Sequence, residues 1–342
     1  DAARILSAGY GRDVRLLPKG EIVSPHLAFC RSLTDPSREQ ESMFQAEDLR
    51  KRREPPLSSP EWKKSYRQAL EYILERIEAS DADARGSFFE VGNHVTGRWN
   101  LIPGGSPSWT GGFWVGMLWN ACRYTGKSRY RDMAERWNAR LLGREHQQDH
   151  DAGFLNHCSS AKGYDLTHER RYLDGALAGA DRLRELFNPK VSLIPAWEVL
   201  GQQTIIDTMM NLQLFWWAHE QSGKEAYLDV GIRHARRTIE LLVRKEGSCH
   251  QSVFYDPFSG EIKSWGTHQG YNPLSAWARG NGWALYGFTV AYQKTGVREF
   301  LETARHVGSF ILANISPDDV PWYDFRDPGI IFTNKDTSAG AI

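Results

Sequence analysis

A short pattern recurs along the sequence and limits the possible folds more than any other feature. Each copy has Ser or Thr followed by Gly, then three residues, an aromatic residue and, four positions later, a small residue. Complete copies begin at Thr125, Ser222 and Thr295, and a fourth copy at Thr167 has His168 in place of Gly. Because Gly directly after an apolar helix is a typical C-cap, each copy predicts the turn of a helical hairpin.

The helices on the two sides of each turn differ in polarity. Those before the turns are rich in aromatic residues, as in 113–124, 212–217 and 277–292, whereas those after the turns are charged and amphipathic, as in 225–244. A helix that is apolar on most sides is buried, and a helix with one apolar stripe lies outside it. The alternation predicts an all-α fold in which inner and outer helices form a toroid or solenoid.

Two segments depart from this helical pattern. Apolar and polar residues alternate around 248–268 with a turn at 256–260, which predicts a small β-hairpin near 250–265. Residues 1–60 lack sustained periodicity, so we expect an irregular N-terminal extension with one short helix near 44–53, followed by a helical domain at 61–342. The basic run at 50–53 is interpreted as a solvated face or linker, with a localisation or binding signal as the alternative.

Composition excludes several classes of function. With 42 basic and 42 acidic residues the net charge is zero, which disfavours a nucleic-acid partner. No apolar run approaches the ~20 residues of a membrane helix, so no membrane partner is expected. The 4 cysteines are widely spaced and form no CxxC, which disfavours a disulfide framework and favours a reducing, cytoplasmic location, although a leader could have been removed. The 13 tryptophans are mostly attributed to the core, with stacking on sugar rings as the functional alternative.

Asp207 is the first candidate for catalysis. It lies between Ile206 and Met209 in an apolar stretch, where a carboxylate costs free energy unless it is paired or functional. One interpretation is a helix N-cap, since Asp is a favoured capping residue. The other is a partly desolvated general acid, because burial raises the proton affinity of a carboxyl group.

Asp151 is the second candidate, within the segment 149–154. Asp and Gly at close spacing are typical of a turn, which is the structural interpretation. The same region offers four potential metal ligands: His146, His150, Asp151 and His157. Since it lacks the fixed spacing of a motif such as HExxH, no metal site is predicted.

Two further clusters could bind a ligand. Arg279 lies in an otherwise apolar stretch between two tryptophans, which favours either an anionic ligand, typically a carboxylate, or an ion pair with a core carboxylate. Trp109 belongs to a loop that opens an inner helix, with core packing as its structural interpretation. Together with the His and Gln side chains of the segment 266–271, these clusters predict a pocket lined by aromatic residues that contains two Asp and one Arg. Such a pocket suits a hydrolase or lyase acting on an acidic sugar.

These clusters belong to a series of segments that together resemble the unsaturated glucuronyl hydrolases, glycoside hydrolase family 88. The resemblance covers about residues 61–342, in order and at compatible spacing. The matching segments are SWTGGFWVGMLW (108–119), HDAGF (150–154), IPAW (194–197), IIDTMMNL (205–212), YDPFSGEI (255–262), GTHQGY (266–271), SAWARGNGWALYGF (275–288) and DTSAGAI (336–342). The unsaturated rhamnogalacturonyl hydrolases share the fold and less of this motif set.

The resemblance implies an (α/α)6 barrel that uses no metal and no cofactor. It implies removal of a 4,5-unsaturated glucuronic acid from the non-reducing end of oligosaccharides produced by polysaccharide lyases, so the expected partner is an unsaturated uronate-containing oligosaccharide. The C4=C5 bond of that sugar is an enol ether, which is protonated at C4 and hydrated at C5. By motif, Asp207 would be the acid and base, and Asp151 would hold the neighbouring geometry and charge. The residues expected to stack on sugar rings are Trp109, Phe154 and Trp283, and those expected to bind hydroxyls or the carboxylate are His268, Gln269 and Arg279.

The sequence departs from the family pattern in two places. Gln251 stands where the family usually has His, with His250 beside it, so either a shift of one residue restores the His or the contact is changed. The chain also stops at Ile342, where family members continue, so the barrel is apparently truncated at the C-terminus, and we expect this form to be less stable and less active than an extended one.

Two alternatives to this function remain. One is an unsaturated rhamnogalacturonyl hydrolase. The other is a non-catalytic α/α carbohydrate-binding scaffold, which would keep Trp109, Trp283 and Arg279 but would not need both Asp151 and Asp207.

Overall fold

The computed structural model describes residues 60–93, 95–102, 107–330 and 335–342. The predicted extension, with its short helix near 44–53 and its basic run, lies outside the described residues, which begin with the first residue of helix α1. Residues Pro60–Ile342 form one compact unit. The helices are α1 Pro60–Asp83, α2 Thr110–Thr125, α3 Ser128–Asn138, α4 Ala152–Asn156, α5 Lys162–Thr167, α6 Arg170–Glu185, α7 Thr208–Asn211, α8 Gln213–Ser222, α9 Glu225–Leu242, α10 Ala278–Thr295, α11 Arg298–Asn314 and α12 Thr337–Ala341. The strands are β1 Phe89–Gly92, β2 Trp99–Leu101, β3 Gln203–Ile205, β4 Ser252–Tyr255 and β5 Ile262–Gly266.

The repeated pattern forms the same helical turn four times in the described residues. Gly126, Gly223 and Gly296 end α2, α8 and α10 in the left-handed conformation, with φ of 66°, 69° and 69°. Each donates its backbone N–H to the carbonyl oxygen four residues earlier at 2.8 Å. His168 adopts the same conformation at the end of α5, with φ of 56° and the same 2.8 Å hydrogen bond. The four predicted hairpin turns are therefore confirmed, including the copy without Gly.

The aromatic residue of each copy anchors an outer helix to the inner helices. Tyr130, Tyr172, Tyr227 and Phe300 are all at most 1% exposed. The small residue that follows allows close packing: a Cβ on Gly231 would lie 2.4 Å from the Trp216 ring. The outer helices α3, α6, α9 and α11 thus pack on inner helices α2, α4–α5, α7–α8 and α10, which is the alternation predicted from the sequence.

Helix α1 precedes these pairs and lies at the surface. Most of its 24 residues are exposed, while Ile77 is buried in the core. Asp81 accepts hydrogen bonds from Arg136 Nη2 at 2.7 Å and from Trp137 Nε1 at 2.6 Å, which attaches α1 to α3. Among the described residues, no helix is both long enough and apolar enough to cross a membrane.

The inner helix between Ala152 and Thr167 is not a uniform α-helix. Residues His157–Ala161 form a π-helical turn between α4 and α5. A π turn contains one residue more than the α-helical turn it replaces, and such turns occur frequently at functional sites.

Two small antiparallel sheets complete the described residues. Strands β4 and β5 pair with Val253 opposite Trp265, which confirms the predicted hairpin near 250–265. Strand β3 pairs with the other side of β4, with Gln203 opposite Phe254, and strands β1 and β2 form a separate hairpin. Neither β3 nor the β1–β2 hairpin is predicted by the sequence, because these strands have only three or four residues and show no sustained alternation.

The first turns of three inner helices meet at very short backbone distances. A Cβ on Gly153 of α4 would lie 2.3 Å from Asn211 Cα on α7. A Cβ on Gly112 of α2 would lie 2.2 Å from the Phe154 carbonyl oxygen. Since the clashing atoms belong to the backbone, side-chain rotation cannot relieve either contact. These two glycines therefore set how closely α2, α4 and α7 approach.

We expect Gly153→Ala to destabilise the protein by at least about 1–3 kcal/mol, because the added methyl group forces α4 and α7 apart. Thermal unfolding followed by circular dichroism measures the effect. Gly308→Ala on α11 is the matched control: its methyl group would meet Leu285 Cδ1 at 3.4 Å, an ordinary contact, and Ala is favoured over Gly within a helix. Equal melting temperatures for the two variants would contradict the close approach.

Candidate active site

A cavity of about 190 Å³ lies where the first turns of the inner helices meet strand β3 and the loop after strand β5. The eight site residues predicted from the sequence all line this one cavity: Trp109, Asp151, Phe154, Asp207, His268, Gln269, Arg279 and Trp283. The structure therefore brings together side chains that are spread over 175 positions, from 109 to 283.

Four other lining residues were not among the predicted site residues: His150, Trp197, Ile205 and Trp277. Trp197 ends one of the family-like segments, IPAW, and that was its available signal. His150 and Trp277 have the same signal, because they lie in the family-like segments at 150–154 and 275–288. Ile205 begins the family-like segment at 205–212, but an apolar residue there is ordinarily attributed to packing.

The Asp207 carboxyl group is enclosed and lacks a full set of hydrogen bonds. Asp207 occupies the N-cap position of α7, but its side chain forms no capping hydrogen bond, so capping does not account for the carboxyl group. Its Oδ2 atom is buried and has no hydrogen-bond partner among the described residues. Burial raises the pKa of Asp207 to about 6; His150 acts in the opposite direction, and the neighbouring Asp151 adds to the rise.

The Asp151 carboxyl group faces the same cavity but has a donor. Its own backbone N–H donates to Asp149 Oδ1 at 2.9 Å, so Asp149 supplies the side chain that closes the turn. Asp151 Oδ1 accepts a long hydrogen bond, 3.4 Å, from Asn211 Nδ2. Burial raises the pKa of Asp151 to about 6, while the Asn211 hydrogen bond lowers it. Both carboxyls thus hold a proton more readily than an ordinary aspartate, and the Asn211 donor favours the ionised form of Asp151.

His150 lies between Asp151 and the first residue of α7 and is itself buried. His150 Nδ1 and Thr208 Oγ1 share a hydrogen bond of 2.8 Å, and His150 Nε2 lies 3.5 Å from Asp151 Oδ1. Burial lowers the pKa of His150, which favours the neutral imidazole. The other possible metal ligand nearby, His146, is exposed, and within the described part of the chain no three His, Cys, Asp or Glu residues are grouped so as to hold a metal ion.

Aromatic rings line one side of the cavity. The Phe154 ring centroid lies 5.7 Å from that of Trp109 and 5.5 Å from that of Trp283, with tilted ring planes. Trp109 is 39% exposed, so core packing does not account for it. Such a continuous apolar wall next to two carboxyls is suited to the face of a sugar ring.

Arg279 provides a positive charge at the cavity. Its Nη1 donates to Asp336 Oδ2 at 3.3 Å and to Ser338 Oγ at 3.1 Å, and its guanidinium lies 4.6 Å from the Trp277 ring centroid. The ion pair with a buried carboxylate is therefore formed, as one of the two interpretations predicted. Its Nε and Nη2 atoms form no hydrogen bond to the described residues, so donors remain for an anionic ligand.

The loop that carries His268 and Gln269 is held from behind by Gln251. Gln251 Oε1 accepts the backbone N–H groups of His268 at 2.7 Å and Gln269 at 3.1 Å. The neighbouring His250 instead hydrogen-bonds Arg244 and does not line the cavity. The departure noted at this position is thus a changed contact, and no shift restores a histidine.

The combination of these groups defines the chemistry that the cavity can support. A carboxyl with a pKa of about 6 can donate a proton near neutral pH and, once ionised, accept one. A second carboxylate beside it can stabilise positive charge that develops on a substrate. The guanidinium and the aromatic wall add recognition of an anionic ring.

A family model described as Glycosyl Hydrolase Family 88 matches residues 81–315. The unsaturated glucuronyl hydrolase of Formosa agariphila is 35% identical over 245 residues, which are 69% of this chain and 61% of that protein. The chain thus spans about three fifths of the length of the curated relatives it matches.

Solved structures show the same fold. The unsaturated glucuronyl hydrolase from Bacillus sp. GL1, responsible for the degradation of glycosaminoglycan, is similar with a TM-score of 0.72 and 31% identity, over 78% of this chain and 74% of that chain. A variant of the Streptococcus agalactiae enzyme complexed with dGlcA-GalNAc6S has a TM-score of 0.68 and 26% identity, over 80% and 68%. The (α/α)6-barrel fold is thereby confirmed, and the chain belongs to glycoside hydrolase family 88.

Proposed function

We propose that this chain carries the active site of an unsaturated glucuronyl hydrolase. It removes a 4,5-unsaturated glucuronic acid from the non-reducing end of oligosaccharides produced by polysaccharide lyases. The observation that carries the proposal is the Asp207 carboxyl, with an unpaired buried oxygen and a pKa of about 6, in one cavity with Asp151 and Arg279. The names of the relatives support this substrate class.

In the first step Asp207 donates its proton to C4 of the substrate. The C4=C5 double bond carries the ring oxygen on C5, so protonation of C4 leaves an oxocarbenium ion at C5. Asp151, ionised and bound by Asn211, lies beside the charge that develops and stabilises it. A single carboxyl is sufficient as the acid, which differs from hydrolases that use two carboxyls on opposite sides of the anomeric carbon.

In the second step water adds to C5 and Asp207 recovers a proton. The Asp207 carboxylate accepts a proton from the attacking water, which returns the enzyme to its starting state. The product is a hemiketal at C5, and its ring opens to release the remainder of the oligosaccharide. The hydroxyl proton on C5 moves to the ring oxygen as the C5–O5 bond breaks, and then to the glycosidic oxygen as its bond to C1 breaks, so that one water molecule is consumed overall.

Recognition is divided between the two sides of the cavity. Arg279 Nε and Nη2 are available for the uronate carboxylate, which an arginine can bind through two parallel hydrogen bonds. Trp109, Phe154 and Trp283 contact the faces of the sugar rings. We also propose a cytoplasmic location, which agrees with the free thiols of Cys122, Cys158 and Cys249.

The proposal is tested by incubation with a panel of lyase-generated disaccharides, following the ultraviolet absorbance of the double bond. Loss of absorbance with unsaturated glucuronyl disaccharides is expected. Turnover restricted to unsaturated galacturonyl-rhamnose would identify an unsaturated rhamnogalacturonyl hydrolase instead. Binding without turnover on the whole panel would identify a non-catalytic carbohydrate-binding scaffold.

We expect Asp207→Asn to lower kcat by about 10²–10⁴-fold, because an amide cannot deliver a proton to C4. Steady-state hydrolysis of an unsaturated disaccharide measures the effect, with circular dichroism to verify the fold. Asp229→Asn, which changes an exposed carboxyl on α9, serves as the control and leaves kcat unchanged. Retention of more than about a tenth of the wild-type kcat by a folded Asp207→Asn protein would refute this assignment.

The raised pKa of Asp207 also predicts the pH dependence of activity and stability. Activity, measured as kcat/KM, falls as the pH rises above about 6, because ionised Asp207 cannot act as an acid, and it also falls below about 6, because protonated Asp151 no longer stabilises positive charge. The folded protein holds this proton more tightly than the unfolded chain, whose carboxyl has the ordinary value of 3.8, so the contribution of Asp207 to stability falls between about pH 4 and pH 6.

It follows that Asp207→Asn should melt at a higher temperature than the wild type at pH 7.5. The substitution replaces a buried, incompletely hydrogen-bonded carboxylate by a neutral amide. The difference should diminish below about pH 4, where the wild-type carboxyl is protonated in both states. Thermal unfolding of both proteins at pH 7.5 and below about pH 4 measures these differences. An Asp207→Asn protein that is less stable than the wild type at pH 7.5 would indicate a structural carboxylate.

We expect Arg279→Ala to raise KM for an unsaturated uronate substrate more than for its carboxyl-reduced analogue. The lost charge-assisted hydrogen bonds correspond to about 1.5–3 kcal/mol, or roughly 10–150-fold in KM. Arg298→Ala removes an equally charged but exposed side chain on α11 and controls for the general loss of positive charge. An equal rise in KM for both substrates would show that Arg279 acts only through its pair with Asp336.

A further inference from the structure

Gln251 lies directly behind the cavity, where its side-chain oxygen holds three consecutive residues of the loop. Its side chain is buried, with the residue only 4% exposed. Gln251 Oε1 accepts hydrogen bonds from the backbone N–H groups of His268 and Gln269 and from the Thr267 hydroxyl. The Thr267 hydroxyl in turn accepts the Gly270 N–H at 2.7 Å, which leaves its own hydrogen for Gln251.

These contacts fix the orientation of the Gln251 amide. Backbone N–H groups can only donate, so the atom facing them has to be the amide oxygen. A flipped amide would place its NH2 group against two backbone donors and leave all of them without partners. The NH2 group of Gln251 therefore lies on the opposite side, where Gln251 Nε2 donates to Gln269 Oε1.

The orientation of the Gln251 amide in turn determines the orientation of the Gln269 amide, which lines the cavity. Gln269 Oε1 is engaged by Gln251, whereas Gln269 Nε2 forms no hydrogen bond to the described residues. We propose that Gln251 is a positioning residue, an inference that rests on the function proposed above. It holds the Gln269 amide so that the cavity presents an NH2 donor, and this donor selects an acceptor oxygen of the substrate, a hydroxyl or carboxylate oxygen of the uronate.

The neighbouring glutamine on strand β3 does not have this role. Gln203 Nε2 donates to His268 Nε2 at 2.8 Å, and Gln203 forms no hydrogen bond with the Gln269 side chain. Gln251 is thus the described residue that determines which end of the Gln269 amide is free. Its effect on substrate binding passes through Gln269, and this separates a positioning role from a purely structural one.

Two substitutions distinguish these roles. Gln251→Glu keeps an oxygen for the three loop donors, but its second oxygen accepts the Gln269 NH2 group, so the Gln269 amide reverses and its carbonyl oxygen enters the cavity. Gln251→Met keeps the volume of the side chain and removes both kinds of hydrogen bond. Each variant is made in the wild type and in a Gln269→Ala background, where the amide to be positioned is absent.

We expect Gln251→Glu to raise KM for an unsaturated glucuronyl disaccharide by about tenfold or more, with a smaller change in kcat. In the Gln269→Ala background the same substitution should change KM by less than about threefold, and that remainder measures the added negative charge itself. Gln251→Met should likewise lose most of its effect on KM in that background. Equal increases in KM in both backgrounds would overturn the proposal.

A second measurement is independent of catalysis. The side-chain amide resonances of Gln269 are assigned in a ¹⁵N-labelled protein by their loss in Gln269→Ala. In Gln251→Glu these amide protons should shift downfield and exchange more slowly with water, because they now donate to a carboxylate. Unchanged resonances would overturn the proposal even if the disaccharide is hydrolysed. If the wild type does not hydrolyse the disaccharide, the proposed function fails, and the resonances still decide the role of Gln251.

Discussion

The close contact between the first turns of α4 and α7 is the constraint on which the cavity depends. Gly153 leaves room for the backbone of Asn211, and Asn211 then joins the two helices with both ends of its side chain. Asn211 Oδ1 accepts the Phe154 N–H at 2.6 Å, and its Nδ2 donates to Asp151. Since Asp207 directly precedes α7, this contact places the two carboxyls and the aromatic wall in one cavity.

The carboxylates of this protein differ in how completely they are hydrogen-bonded. Buried Asp324 accepts hydrogen bonds from Tyr271 N–H, Ala276 N–H, Arg326 N–H and the Ser275 hydroxyl, and so stabilises the loop that follows the cavity. Asp207 has a buried oxygen with no partner among the described residues. A carboxyl that is buried without donors destabilises the fold when ionised, and that same property makes it an effective proton donor.

The sequence predicts the parts of this structure that depend on local patterns. The recurrent turn predicts the helical hairpins because its Gly and aromatic positions each have a direct structural role. Polar residues in apolar stretches identify Asp207 and Arg279, and the family-like segments supply most of the other predicted residues of the cavity. Contacts between distant segments are not predictable in this way: Asp336, which pairs with Arg279, lies 57 positions away, and nothing in either segment specifies the other. Short strands such as β3 acquire their conformation from the neighbour with which they pair.

The roles of individual residues cannot be assigned from the sequence alone, because they depend on contacts that only the folded structure shows. Asp151 and Asp149 are equivalent candidates for a turn until the structure shows that Asp149 closes it. In the sequence, Gln251 looks like the loss of a histidine. In the structure, its hydrogen bonds to the loop define the orientation of its amide. In both cases the contacts themselves, and for Gln251 the orientation of its amide, follow from which donor lies opposite a particular oxygen atom.

The π-helical turn at His157–Ala161 makes the length of the inner helix as important as its composition. Upstream of it lies Asp151 at the cavity, and downstream Gly163 packs on Trp119 and His168 ends helix α5. Removal of one residue from this turn would rotate one end of the helix by about 100° relative to the other. The outer packing or the Asp151 carboxyl would then lose its place, although no residue of the cavity had been replaced. An insertion or deletion at this point is therefore a more severe change than most substitutions nearby.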